Sequence, residues 1–430
     1  MRCKIGCCAG VQFLFCGMRR FVLMLLMVML ITPCLLSQSR ETPYVILISF
    51  DGFRYDYAEK FNAPTFKSLS STGAYAEGLI PTFPSKTFPN HYSIVTGLYP
   101  GHHGLVDNNF FDPLRNELYE MKNSNRVRDA YYYGGKPLWK LASDHGLKSA
   151  SFFWVGSELT DPKLRPEYYY AYDESVPDSI RIQQVISWLS LPERERPHFI
   201  TLYFSSPDHE GHLFGPSSNE TRAAVLNADA TLKSLFEKLE KLSLPVNTII
   251  VSDHGMEELQ KKPETYIFLD EILDTKDTSL QIANGGTQVH LYLKSQQNID
   301  ALYKKINGSD SSYIVFPRQH FPKRWHYDVP RAGDLLLVAQ PGYYFIEQAR
   351  DKFLRNLQPG QYFGVHGYDP KVVKNMQGIF YAVGPNIRAR QKIKPFENIH
   401  VYPLVAKILG LTTPRIDGDA RVLQSIYKPD

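Results

Sequence analysis

The sequence has little cysteine. Its five cysteines (Cys3, Cys7, Cys8, Cys16, Cys34) all lie in the first 34 residues. The rest of the chain therefore has no disulfide framework, no thiolate metal site and no cysteine nucleophile. It also has no long basic run, no internal repeat and no low-complexity tract beyond the leader. That excludes a dedicated nucleic-acid binder and a repeat architecture. With 430 residues, 43% hydrophobic and 21% charged, it is not a disordered, collagen-like or coiled-coil chain. A chain of this length buries a core without disulfide help and fits one large α/β domain or two or three smaller ones.

The first residues read as a targeting segment. Met18-Arg19-Arg20 forms a short basic region, and Phe21 to Ile31 is an unbroken apolar run of 11 residues. Such a run is too short to span a bilayer comfortably and suits a signal peptide. The polar Ser37-Gln38-Ser39 follows, so residues 1–37 read as a signal peptide cleaved near Ser37, with Met18 as an alternative start. An uncleaved membrane anchor and a lipidated Cys34 are the alternatives. Removing Arg2, Lys4, Arg19 and Arg20 from 48 basic residues leaves 44, matching the 44 acidic ones. The net charge of +4 thus belongs to the leader.

Along the chain, continuous apolar runs alternate with helical patterns. Residues 44–50 read as a buried parallel strand that presents Asp51 at its carboxyl end. Residues 199–204, leading to Asp208, and 246–252, leading to Asp253-His254, read the same way, and 377–383 reads as a further such strand. Helical spacing covers 63–71, 178–189 and 223–242. This alternation predicts a mostly parallel sheet covered on both faces, with ligands at the carboxyl ends of strands. Residues 109–133 are a candidate insertion or lid. Residues 269–331, with turn signals at Asn284-Gly285-Gly286 and Asn307-Gly308-Ser309, are a candidate small α+β subdomain. Asn219-Glu-Thr221 and Asn307-Gly-Ser309 are also glycosylation sequons.

The strand-end residues form a constellation: Asp51, Asp208, His212, Asp253, His254 and, in a glycine-flanked loop, His366. Three carboxylates and three imidazoles without sulfur suit zinc, manganese or cobalt. Six ligands suffice for two ions, and a metal pair clamps a transferring phosphoryl group. A candidate nucleophile lies in Pro84-Ser-Lys-Thr-Phe-Pro-Asn-His-Tyr-Ser93. Pro89 suits the first turn of a helix through 90–98, which puts Thr87 just before it, where free N–H groups favour a phosphate. His91, His102, His103 and His209 read as structural or surface residues.

These motifs resemble the nucleotide pyrophosphatase/phosphodiesterase family of the alkaline phosphatase superfamily. The matching pieces include Ile-Ser-Phe-Asp51-Gly, Lys86-Thr87-Phe-Pro-Asn-His-Tyr, Asp-Asn108, Pro207-Asp208-His-Glu-Gly-His212, Ser252-Asp253-His254-Gly and His366-Gly-Tyr, and they run through residues 44–425. The resemblance implies an alkaline-phosphatase-like α/β core spanning 38–430 and two Zn2+ per chain. One zinc would be held by Asp208, His212 and His366. The other would be held by Asp51, Asp253 and His254, with the Thr87 oxygen at or near it. Asn108 would stabilise a phosphate oxygen. Thr87 would attack phosphorus, form a threonyl-nucleotide intermediate and be released by water. Phe88 and Tyr172 match positions that sandwich a nucleobase, and Trp154 and Tyr203 match aromatic positions near the substrate. Glu158, in Trp-Val-Gly-Ser-Glu, departs from the family's usual Trp-Pro-Gly-Ser-Asp. The implied partner is a small nucleotide, cleaved to a nucleoside monophosphate and pyrophosphate. The implied location is secreted, periplasmic or extracellular and membrane-associated. A phospholipid or choline phosphodiesterase of the same family, and an inactive binding protein on this scaffold, are the alternatives.

Overall fold

The strand Tyr44–Phe50 is buried at every position. Its alternate side chains enter different cores, as the pleat requires. Val45 and Leu47 pack with Trp139, Val401 and Tyr402, whereas Ile46 and Ile48 pack with Ile182, Val185 and Leu232. Helices therefore cover both faces of the sheet, which is what a parallel strand of continuous apolar sequence needs. The structure, a computed structural model, describes residues 42–429. The leader read over 1–37 lies outside the described residues. Among them, no helix is long and apolar enough to cross a membrane.

The central sheet has eight strands in the order Gln391–Ile393, Ala74–Ala76, Phe380–Val383, Val246–Val251, Tyr44–Phe50, Phe199–Phe204, Ser149–Phe152 and Tyr168–Tyr170. The five from Val246–Val251 to Tyr168–Tyr170 are mutually parallel. The strand Phe380–Val383 is not: it pairs antiparallel with Val246–Val251. This corrects the reading of 377–383 as another parallel strand. The chain arrives there from the His366 loop, already at the carboxyl edge of the sheet, and so enters the sheet in the opposite direction.

The helices Pro64–Thr72, Asp178–Leu189 and Asn219–Leu239 occupy the predicted regions. The last begins four residues before residue 223 because Ser218 caps it, its hydroxyl accepting the N–H of Thr221 at 3.1 Å. Residues 109–133 contain the hairpin Asn109–Asp112 and Glu117–Glu120. A separate antiparallel sheet runs Leu280–Asn284, Gln288–Leu293, Leu335–Ala339, Tyr313–Pro317. It has its own core, including Val289, Leu291, Val315 and Leu337.

Candidate active site

Three adjacent parallel strands end at the same edge of the sheet, and their acids follow directly. Asp51 leaves Tyr44–Phe50, Asp253 follows Val246–Val251, and Asp208 begins the short helix Asp208–Phe214 after Phe199–Phe204. The turns are tight. Gly52 has φ +65°, and a Cβ there would lie 2.9 Å from the Asp208 backbone. The Asp208 N–H donates to the Asp51 carbonyl at 3.1 Å, and the Gly52 N–H donates to Asp253 Oδ1 at 3.2 Å.

The metal-ligand candidates converge in two overlapping groups. Ligand atoms of Asp51, Asp253 and His254 lie within 4.8 Å of one another, as do those of Asp208, His254 and His366. His212 borders the second group: its Nε2 is 3.4 Å from Asp208 Oδ2, and its ring centre is 5.0 Å from that of His366. Each of the three imidazoles turns Nδ1 to a backbone carbonyl, His254 to Gly255 at 2.9 Å, His366 to Ser85 at 2.8 Å and His212 to Gly364 at 2.8 Å. A neutral ring that donates through Nδ1 keeps Nε2 as a lone-pair ligand.

The acids fit a divalent cation. Asp51 Oδ1, Asp208 Oδ1 and Asp253 Oδ2 are buried and carry no hydrogen bond, although Asp253 Oδ2 lies 3.0 Å from His254 Nε2. Uncompensated buried carboxylate oxygens are costly. Burial, with the carboxylates of Asp253 and Asp208 added, pushes the Asp51 carboxyl well above its ordinary range. Burial acts the same way on Asp253, but His254 and His91 outweigh it and hold that carboxyl at about 2. An ordered set of oxygens and imidazole nitrogens of this kind matches zinc or a similar ion.

The helix read over 90–98 runs Thr87–Thr96, so Thr87 is its first residue rather than lying just before it, and Lys86 takes the cap. Thr87 Oγ1 is 3.3 Å from His254 Nε2. The Phe88 N–H donates to Asn108 Oδ1 at 2.9 Å, which leaves the Asn108 NH2 as the free donor. A cavity of about 530 Å³ joins Thr87, Asp51, Asp208 and His212 to Phe88, Trp154, Tyr172 and Tyr203. Met121, Lys122 and Arg128, from the 109–133 segment, line the same cavity. Glu158 faces it too, paired with Arg128 at 3.0 Å.

Two aromatics have further ties. The Tyr203 hydroxyl donates to Asp51 Oδ2 at 2.6 Å, and Trp154 Nε1 donates to the His91 carbonyl at 3.0 Å. His91, read as structural, is fully buried between Ser49 and the Thr87 carbonyl, with Nδ1 3.4 Å from Asp253 Oδ2. Lys86 went unread. It is buried, and its Nζ donates to the carbonyls of Gly285 at 2.6 Å and His366 at 2.9 Å. Its place beside Thr87 was the only signal in the sequence.

A family described as type I phosphodiesterase / nucleotide pyrophosphatase matches residues 45–369. Human ectonucleotide pyrophosphatase/phosphodiesterase family member 1 is 34% identical over 420 residues, covering 90% of this chain and 42% of its own length. A venom phosphodiesterase of Naja atra is 34% identical over 403 residues, covering 89% of this chain and 46% of its own. The chain thus spans less than half the length of these two relatives. Among solved structures, murine ectonucleotide pyrophosphatase/phosphodiesterase 5, in an inactive form in complex with AMP, aligns with a TM-score of 0.82 at 28% identity. It covers 90% of this chain and 100% of that one. The human counterpart aligns with a TM-score of 0.82 at 29% identity, with the same coverage. The expected alkaline-phosphatase-like α/β fold agrees with this likeness.

Proposed function

The chain belongs to the type I phosphodiesterase / nucleotide pyrophosphatase family, and from that premise we propose that it is a two-zinc hydrolase cleaving phosphodiester and pyrophosphate bonds of nucleotides outside the cytoplasm. The observation that carries the proposal is the position of the Thr87 hydroxyl. It lies 3.3 Å from His254 Nε2, on the wall of a cavity that also holds strand-end acids and aromatic rings.

In this reading Asp51, Asp253 and His254 hold one ion and Asp208, His212 and His366 the other. Bound there, the ions supply Lewis acidity to the attacking hydroxyl and to the departing oxygen. The Thr87 hydroxyl passes its proton to solvent water and its oxygen attacks phosphorus in line; the P–O bond to the alcohol or pyrophosphate breaks, that oxygen leaving with the electron pair, and a threonyl-nucleotide forms. Water opens that ester in a second displacement and frees the nucleoside monophosphate. The Asn108 NH2 and the Thr87 N–H, at the helix start, donate to the phosphate oxygens; one such donor is worth about 3 kcal/mol of barrier. Phe88 and Tyr172 stack the base, at roughly 1–3 kcal/mol. Tyr203 orients Asp51 while forming part of the aromatic wall.

The test is turnover of a nitrophenyl nucleotide diester by purified protein. Activity is expected to vanish with a chelator and return with zinc. Thr87→Ala is expected to abolish turnover while leaving folding and zinc content intact. Turnover that survives complete metal removal, or near-normal rates in Thr87→Ala, would contradict the proposal. Comparing ATP, a dinucleoside polyphosphate and lysophosphatidylcholine separates the nucleotide reading from the lipid one. Exclusive turnover of the lipid would replace it.

A further inference from the structure

Asp107 lies one residue before Asn108 and is fully buried. A buried carboxylate is costly unless its oxygens are paired. Here both are. Oδ1 accepts the N–H of Asn108 at 2.6 Å. Oδ2 accepts from the side-chain amide of Gln288 and, at 3.0 Å, from Nε2 of His290. Burial opposes ionisation of this acid, but His290, Lys86 and Gln288 outweigh it and hold the carboxyl below its ordinary range.

Gln288 and His290 share one face of the strand Gln288–Leu293 in the separate four-stranded sheet. Both are fully buried, and His290 Nδ1 lies 3.0 Å from the Ala332 carbonyl. From Asp107 the path continues through Asn108, whose Oδ1 accepts the Phe88 N–H in the first turn of the Thr87 helix. Hydrogen bonds on either side of Asn108, to its backbone N–H and to its side-chain oxygen, thus link that sheet to the nucleophile helix. The neighbouring loop makes a second clasp. Gly285 and His366 carbonyls accept from Lys86, and the His366 carbonyl also accepts from Thr287 Oγ1 at 3.2 Å. Gly367 fits there because it lacks a Cβ, which would lie 2.1 Å from Thr287 Oγ1.

We infer that Asp107 is a positioning residue: braced by Gln288 and His290, it fixes the orientation in which Asn108 presents its amide beside Thr87. The inserted sheet is then a support for the phosphate-binding donor as well as a packing unit. The inference rests on the role proposed for Asn108.

A double-mutant cycle on kcat with a nitrophenyl nucleotide diester tests it, with zinc content and thermal unfolding recorded for each variant. Asn108→Ala is expected to lower kcat about a hundredfold. Asp107→Asn is expected to lower kcat about tenfold, with KM changed by less than about twofold and zinc retained. In the Asn108→Ala background, Asp107→Asn is expected to add nothing, because the residue through which it acts is gone. An additive pair, or a loss that only follows the folded fraction, overturns the inference. A normal kcat in Asn108→Ala overturns instead the role of Asn108 and leaves that diagnosis distinct. Where Asp107→Asn does not fold, Gln288→Leu enters the cycle in its place. It is expected to give a smaller loss with the same non-additivity, and additivity there counts equally against the inference.

Discussion

Asp107 and the acids at the strand ends are held in different ways. At Asp107 each oxygen has a protein donor, and the carboxyl is held below its ordinary range. At the strand ends Asp51, Asp208 and Asp253 each keep an oxygen without a hydrogen bond; Asp51 is pushed well above its ordinary range, whereas Asp253, beside His254 and His91, is held at about 2. Evidently the fold can satisfy a buried acid completely when the acid is a support. The acids left open lie in the groups that could hold a cation, and His254, shared by both groups, has its Nε2 3.3 Å from the hydroxyl of Thr87. At these two places, satisfaction by the protein goes with the proposed brace and its lack with the proposed chemistry.

Removing one of the open acids tests this most strongly. Asp253→Ala is expected to lower kcat about a thousandfold, the several kcal/mol of a lost Lewis acid. Steady-state rates measured with added zinc are expected to show no rescue. The next effect comes from the more open ligand group. His212 is 39% exposed in its side chain, against 0% for His254. His212→Ala is expected to cost about a hundredfold at limiting zinc and to recover in excess zinc, read by zinc titration of activity. Equal rescue of both variants would erase the distinction between the two groups. A third and smaller effect is expected at Tyr203, whose hydroxyl orients Asp51. Tyr203→Phe is expected to lower kcat about tenfold; an unchanged rate would reduce Tyr203 to part of the aromatic wall.

The smallest effect concerns the satisfied acid. Asp107 has a folded-state pKa below the unfolded value of about 3.9. Its contribution to stability is therefore present above that value and lost as pH falls through the folded one. The difference in melting temperature between the protein and Asp107→Asn is expected to narrow as pH drops below about 3.9. A gap that stays constant would show that the carboxylate charge contributes nothing.

The open acids were legible in the sequence because each follows a continuous apolar run, and such runs in a parallel sheet end at one edge. His366 carried no periodic signal, since it lies in the glycine-flanked loop Gly364-Val-His366-Gly367; its imidazole alone placed it with the other candidates, and the family resemblance then implied its role. The direction of Phe380–Val383 was not legible either, because a strand's apolar pattern reads the same both ways. The brace escaped for a different reason. Asp107 is about 180 residues from Gln288 and His290 in sequence, and only the pairing of a second sheet brings them together. Lys86 escaped likewise, because its acceptors are backbone carbonyls that no side-chain pattern announces.

The central claim is that Thr87 itself bonds to phosphorus. The direct measurement is the stereochemical course of hydrolysis of a nucleotide ester made chiral at phosphorus with sulfur and isotopic oxygen. Each in-line displacement inverts the centre, so attack by Thr87 followed by water predicts net retention. Net inversion would mean that water attacks the substrate directly, and would contradict the account.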